Sequence, residues 1–144
     1  MDLRSFARDG KSSRGIGRAL LVLATAMFAA GACQKSGPDA WALATEIKAK
    51  IKVPVDVDSD TRLDDVRGLS KSELGYFLTL TKANRATLDP NFGKLLAANL
   101  RSSGCQNPAY ITILKAGITI TLVYRTADQV EVVRVVIAPK DCGL

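Results

Sequence analysis

The sequence contains no histidine, and this absence excludes several kinds of chemistry. Without an imidazole among its 144 residues, the protein has no histidine-based catalytic triad, no histidine metal site and no imidazole pH switch. Nucleophile-elbow, P-loop and dinucleotide-binding motifs are also missing. We therefore expect a non-enzyme with no catalytic residues, no metal site and no small-molecule cofactor.

What the chain does contain is typical of one folded domain. Its length fits a single domain, and its 47% hydrophobic and 24% charged content argues against a disordered chain. The formal net charge is +6, but residues 1–18 alone hold five basic and two acidic side chains. Since half of the basic excess belongs to the N-terminus, we expect no nucleic-acid partner.

The N-terminal third is typical of an export signal. A basic segment at 1–18 precedes a short apolar run at 19–30, and small residues follow. This run is shorter than the about 20 apolar residues that span a bilayer, and the pattern predicts a secretory signal peptide. The predicted organisation is a cleaved signal peptide, a lipidated N-terminus with a short tether, and a single α+β periplasmic domain, at residues 1–32, 33–38 and 39–144.

The segment Ala30-Gly31-Ala32-Cys33 resembles the lipobox of bacterial lipoproteins, although that family prefers Leu at the first of these positions. The resemblance implies that Cys33 is acylated and anchors the protein to a membrane. Gln34 then favours the outer membrane, with the domain facing the periplasm. The same residues also satisfy the rule for ordinary signal peptidase, which leaves a soluble periplasmic protein as the alternative.

The two remaining cysteines, Cys105 and Cys142, form an even set in an oxidising compartment. A disulfide between them would close a loop of about 38 residues and stabilise the fold by about 4 kcal/mol in the chain-entropy model. Two redox-active thiols are the alternative, but the spacing is not Cys-x-x-Cys. We predict a structural disulfide.

The first helix is predicted over residues 38–52, with Ser36 and Asp39 as a capping box and an end before Pro54. Its apolar side chains recur at helical spacing. They are Trp41, Ala44, Ile47 and Ile51. This stripe predicts core packing. A partner-binding surface close to the tether is the alternative, with Trp41 and Ile47 as candidate partner-binding residues.

The rest of the domain alternates between strand and helix signals. A helix is predicted at 90–102 with Asp89 as its N-cap. Residues 108–116 fit a helix or a strand, and the cap Asn107 favours a short helix. Strands are predicted at 63–69, 73–81, 118–125 and 130–138. The predicted fold is α+β, with an antiparallel sheet of about four strands, two or three helices packed on one side, and one disulfide.

Asp56, Asp58 and Asp60 alternate as in a calcium-binding loop. The EF-hand pattern requires Gly at the sixth position and Glu at the twelfth, where this chain has Thr61 and Arg67. A solvated turn is the better interpretation.

Several short segments, taken in order, resemble a group of small exported proteobacterial proteins of unknown function. They are Thr61-Arg62-Leu63-Asp64, the Tyr76-centred strand ending Leu78-Thr79-Leu80, Cys105-x-Asn107-Pro108, Gly117, Tyr124-Arg125 and Asp141-Cys142. Members of that group often have a second aromatic residue where this chain has Leu78 or Leu122. The resemblance implies the fold and the disulfide, and it implies no activity.

These observations leave two hypotheses about function. The first is a membrane-anchored envelope lipoprotein that acts as a protein-interaction or assembly module, comparable in size and anchoring to the pilotins that escort secretion components to the outer membrane. Its partners would be the membrane, through the lipid, and another envelope protein. The second is a periplasmic inhibitor of a hydrolase such as lysozyme, although the loop motifs of such inhibitors are missing.

Overall fold

The computed structural model describes Gly37 and residues 39–144, which fold into one sheet covered by helices. The helices are α1 (Ala40–Ile51), α2 (Phe92–Gly104) and α3 (Pro108–Lys115). The strands are β1 (Val55–Asp56), β2 (Thr61–Ser70), β3 (Glu73–Leu80), β4 (Thr119–Thr126) and β5 (Glu131–Ile137). The predicted signal peptide, Cys33 and all of the predicted tether but Gly37 lie outside the described residues. No helix in the described part is both long and apolar enough to cross a bilayer.

The predicted α+β fold is confirmed, with five strands in the sheet where about four were predicted, and the sheet is mixed rather than wholly antiparallel. Its order is β1-β2-β3-β4-β5, and every neighbouring pair is antiparallel except β3 and β4. Two helices, α2 and α3, connect these strands and return the chain to the end where β3 begins, so that Glu73 pairs with Thr119. A crossover of this kind makes the two strands parallel.

Side-chain caps define the helix starts more closely than the apolar pattern does. The carboxylate of Asp39 accepts hydrogen bonds from the backbone N–H groups of Trp41 and Ala42 at 3.1 and 3.2 Å. Asp39 is therefore the N-cap of α1, which begins at Ala40 and not at the predicted residue 38, while Ser36 of the predicted capping box lies outside the described residues. The amide oxygen of Asn107 caps α3 in the same way, which confirms the short helix.

All three helices pack on the same face of the sheet, as predicted, because α1 covers β2 and β3, α2 covers β5 and α3 covers β4. The core is divided into two clusters of buried side chains. The first lies under α1 and contains Ala40, Ala44, Leu63, Val66, Leu74, Leu78 and Ile118. The second lies under α2 and α3 and contains Leu114, Ile120, Leu122, Val135 and Ile137.

The predicted disulfide is present between Cys105 and Cys142, whose Cα atoms are 5.2 Å apart. Cys105 follows α2 directly, and Cys142 ends the short 3-10 turn Pro139–Cys142. Both cysteines pack against the second core cluster. The bond therefore joins the C-terminus to the helical layer over β5.

Candidate functional site

The helix α1 is rotated relative to the predicted stripe, and this decides where Trp41 and Ile47 lie. Ala40 and Ala44 form its buried face, whereas Trp41 is 50% exposed. Ile47 is half-buried and packs against the first core cluster. Of the two candidate partner-binding residues, Trp41 is thus accessible and Ile47 is largely committed to the core.

Gly68 on β2 explains the rotation of α1. A Cβ atom at this position would lie 2.7 Å from both the Cα and the backbone N of Trp41, far closer than the ordinary contact of about 3.5–4.0 Å. Because glycine has no side chain, the backbone of α1 can lie directly on the strand at this point. The large indole ring of Trp41 then stays at the edge of the interface, and small alanines fill its centre.

The two core clusters meet at half-buried tyrosines. Tyr76 on β3 and Tyr124 on β4 each pack against both clusters, and Tyr110 on α3 packs against the second. The rings of Tyr76 and Tyr110 have their centroids 5.7 Å apart with planes tilted by 39°, an attractive arrangement for aromatic rings. We call Tyr76, Tyr110 and Tyr124 the tyrosine cluster.

The environment of the tyrosine cluster keeps its hydroxyls protonated. Burial raises the pKa of Tyr110, and burial followed by the nearby Tyr110 hydroxyl raises the pKa of Tyr76. The same two causes, with a smaller contribution from Asp58, raise the pKa of Tyr124 to about 12. All three hydroxyls are therefore neutral near pH 7 and can both donate and accept hydrogen bonds.

The hydroxyls of the tyrosine cluster form no hydrogen bond with another residue in the part of the chain that the structure describes. No buried side-chain oxygen there lacks a hydrogen-bond partner. The rings offer apolar area and the oxygens offer polar contacts, a combination that is enriched at protein–protein interfaces.

The number and placement of the tyrosines in the sequence already indicate this site. Tyr76 and Tyr124 occupy core-facing positions of their strands, and the cluster contains all three tyrosines of the chain. A buried tyrosine usually needs a hydrogen-bond partner for its hydroxyl. Three tyrosines that face the core therefore indicate that polar groups lie within it. Their proximity could not be predicted, because it depends on the parallel pairing that sets Leu78 beside Tyr124.

The acidic segment is a hairpin turn. Asp56 ends β1, and Asp58 and Asp60 follow in the turn to β2, where the carboxylate of Asp58 accepts a hydrogen bond from the backbone N–H of Asp60. Hydrogen bonding to Lys82, at 2.6 Å, is the main cause that lowers the pKa of Asp60. Among the described residues, no group of three or more cysteine, aspartate or glutamate side chains could hold a metal ion.

No protein-family model matches the sequence, and no curated protein matches it. Three solved structures share the fold. The type II secretion pilotin EpsS of Vibrio vulnificus superposes with a TM-score of 0.57 at 15% identity, over 72% of this chain and 87% of that one. The type II secretion pilotin AspS of Vibrio cholerae gives 0.53 at 17% identity, over 72% and 88%. A secreted protein of Pseudomonas aeruginosa gives 0.54 at 16% identity, over 72% and 95%.

Proposed function

We propose that this protein is an exported, lipid-anchored protein of the bacterial outer membrane that binds another envelope protein and catalyses no reaction. Cys33 carries the lipid and the domain of residues 39–144 faces the periplasm. The lipobox-like segment, the disulfide and the fold shared with two pilotins support this proposal. A short tether keeps the domain close to the membrane in which its partner resides.

The tyrosine cluster is the observation that carries the binding role. Three protonated hydroxyls lie at the junction of two core clusters and have no partner within the described residues. Tyrosine is among the residue types that contribute most to binding energy at interfaces. A partner that supplied hydrogen-bond groups to these oxygens would replace the water that otherwise hydrates them.

The partner surface that fits this site is an amphipathic helix. The helices α1, α2 and α3 each make their main contacts with the sheet rather than with one another. The helices that lie over the tyrosines are therefore only weakly connected to each other. One apolar stripe of a partner helix could pack against the rings while its flanking polar groups reach the hydroxyls. We propose that this helix belongs to a component of a secretion machinery, because two of the three proteins with this fold are secretion pilotins.

Site-specific crosslinking in cells tests the proposal. A photo-reactive amino acid in place of Tyr110 should capture one dominant envelope protein when the full chain is expressed in its own host. The same reagent in place of Leu95, a 68% exposed residue of α2, provides the control for general exposure. Capture from position 110 and little from position 95 is the expected result.

Two further variants test whether a tyrosine hydroxyl and helix α1 contribute to partner binding. Tyr124→Phe keeps the ring and removes one hydroxyl, and it should weaken capture by several-fold, since one hydrogen bond contributes about 1 kcal/mol. Trp41→Asp should weaken capture if α1 belongs to the same interface. Capture of lipid alone, or equal capture from both positions, contradicts the binding role.

A further inference from the structure

The face of the sheet opposite the described helices holds a second group of aligned polar residues. Strand pairing places Arg62 of β2 opposite Thr79 of β3, and Thr79 opposite Arg125 of β4. Because side chains alternate along a strand, Thr79 lies on the face opposite the core residues Leu78 and Leu80. Three segments that are far apart in the sequence thus form one row across the sheet.

This row borders a cavity of about 340 Å³. Phe77 forms an apolar part of its wall, and Arg125 and Gln129 line it from β4 and from the turn that follows. Gln129 has a φ of 63°, a left-handed conformation that is uncommon for residues other than glycine and that is found at functional sites. The volume is at the lower end of the range for small-ligand pockets, about 300–1,000 Å³.

Both carboxylates of the cavity are already paired. Asp64 contacts the Nε of Arg62 at 2.6 Å and also accepts a hydrogen bond from the hydroxyl of Thr79. Asp65 contacts the Nε of Arg67 at 2.5 Å and the Nζ of Lys48 at 3.3 Å. Although burial acts to raise the pKa of Asp65, its hydrogen bonds outweigh burial and lower it. Neither carboxylate is therefore free to neutralise another cation.

Arg125 is the third arginine that lines the cavity. Among the described residues, no carboxylate lies within ion-pair distance of its guanidinium. The cavity lining contains three arginines and two aspartates, which gives a formal charge of +1. Arg125 is half-buried on β4, and its cross-strand neighbour Glu131 on β5 is paired with Arg134 at 3.0 Å.

We propose that this cavity binds the carboxylate of a peptide, with Arg125 as the binding residue. A guanidinium presents two parallel N–H donors that match the planar carboxylate group. A single negative charge balances the formal charge of +1 in the lining, whereas a doubly charged phosphate would leave the cavity with an excess negative charge. Phe77 also lines the cavity, and the guanidinium of Arg67 lies over its ring at 4.9 Å from the centroid.

Titration of defined probes tests the site. Residues 34–144 form one compact unit that includes both core clusters and the disulfide, so this unit is the sample. The probes are N-acetyl-dialanine, its C-terminal amide, N-acetylglutamic acid α-amide and inorganic phosphate, and NMR reports the Nε–H signal of Arg125. The first and third probes distinguish a chain terminus from an acidic side chain as the source of the carboxylate.

At least one carboxylate probe should bind at least tenfold more tightly than the dialanine amide, and phosphate should bind more weakly than that probe. Arg125→Gln should lose at least tenfold in affinity. Arg101→Gln removes the same charge from an exposed position of α2, and it should change affinity by less than twofold. Equal affinity for amide and acid, stronger binding of phosphate, no binding up to about 10 mM, or an equal loss in both variants each overturns the proposal.

This site lies on the face of the sheet opposite the tyrosine cluster. The titration uses neither the membrane nor the envelope partner, and the crosslinking experiment does not involve Arg125. Failure of either proposal therefore leaves the other standing.

Discussion

Replacing Gly68 by alanine tests how α1 is held on the sheet. The added Cβ would lie 2.2 Å from Cδ1 of Trp41 and 2.7 Å from its Cα and backbone N. A side-chain atom could rotate away, but the backbone atoms can move only together with the helix. The N-terminus of α1 is in turn tied to the neighbouring turn, because the N–H of Ala40 donates to the carbonyl of Lys71 at 2.9 Å.

We expect Gly68→Ala to lower the free energy of unfolding by about 1 to 2 kcal/mol. Overpacking of a well-packed contact costs about 1–3 kcal/mol, and the reduced entropy of the unfolded chain returns about 0.4–1 kcal/mol. Urea unfolding followed by tryptophan fluorescence measures this change. Trp41 is the single tryptophan of the chain, so the signal comes from the contact that is altered.

Gly37→Ala is the matched control, because no atom lies within 4 Å of a Cβ at that position. It should leave both the urea midpoint and the tryptophan emission of the native state unchanged. With a denaturant slope of about 2 kcal/mol/M, the middle of the usual range, Gly68→Ala should lower the midpoint by roughly 0.5–1 M. An unchanged midpoint and an unchanged emission spectrum for Gly68→Ala would refute the close contact.

Three other predictions concern the disulfide, a helix cap and the tyrosine cluster. Reduction of the Cys105–Cys142 bond, which spans 37 positions, should lower the free energy of unfolding by about 4 kcal/mol, measured as a shift of the urea midpoint. Asn107→Ala should cost about 1 kcal/mol in thermal unfolding, because two N–H groups of α3 lose their acceptor. Burial, with a smaller effect of the Tyr110 hydroxyl, raises the pKa of Tyr124 to about 12 from its ordinary 10. The stability that this shift contributes is complete below pH 10 and is lost as the pH rises toward 12, so tyrosinate absorbance should appear at lower pH in urea than in buffer.

Each of these predictions has its own contradicting result. A urea midpoint that does not respond to reductant would mean that the disulfide adds nothing to stability. Asn91→Ala is the control for the cap, because Asn91 precedes α2 without a side-chain capping bond, and equal losses in both variants would contradict the role of Asn107. Identical tyrosinate titrations in buffer and in urea would contradict the burial of the tyrosine cluster.

Local patterns were sufficient to predict most elements of the fold. The helix at Pro108–Lys115 followed from Asn107, and strands β4 and β5 lie close to the predicted ranges 118–125 and 130–138. The short strand β1 was not predicted, since two residues of an acidic segment carry no alternation. The parallel pairing of β3 and β4 was also missed, although two helices between consecutive strands are the usual sign of a crossover.

The sequence by itself determined the approximate positions of the three helices and of four of the five strands, the pairing of Cys105 with Cys142, and the side of each strand on which a tyrosine lies. These depend on spacing and caps within a few residues of one another, or on cysteine parity. Only the tertiary structure decided the order of the strands and the orientation of α1. These depend on contacts between distant residues, such as Gly68 with Trp41. Contacts between distant residues also form both candidate sites. Tyr76 meets Tyr110, and Arg62 shares a row with Arg125, only when the strands have paired and the helices have packed on them.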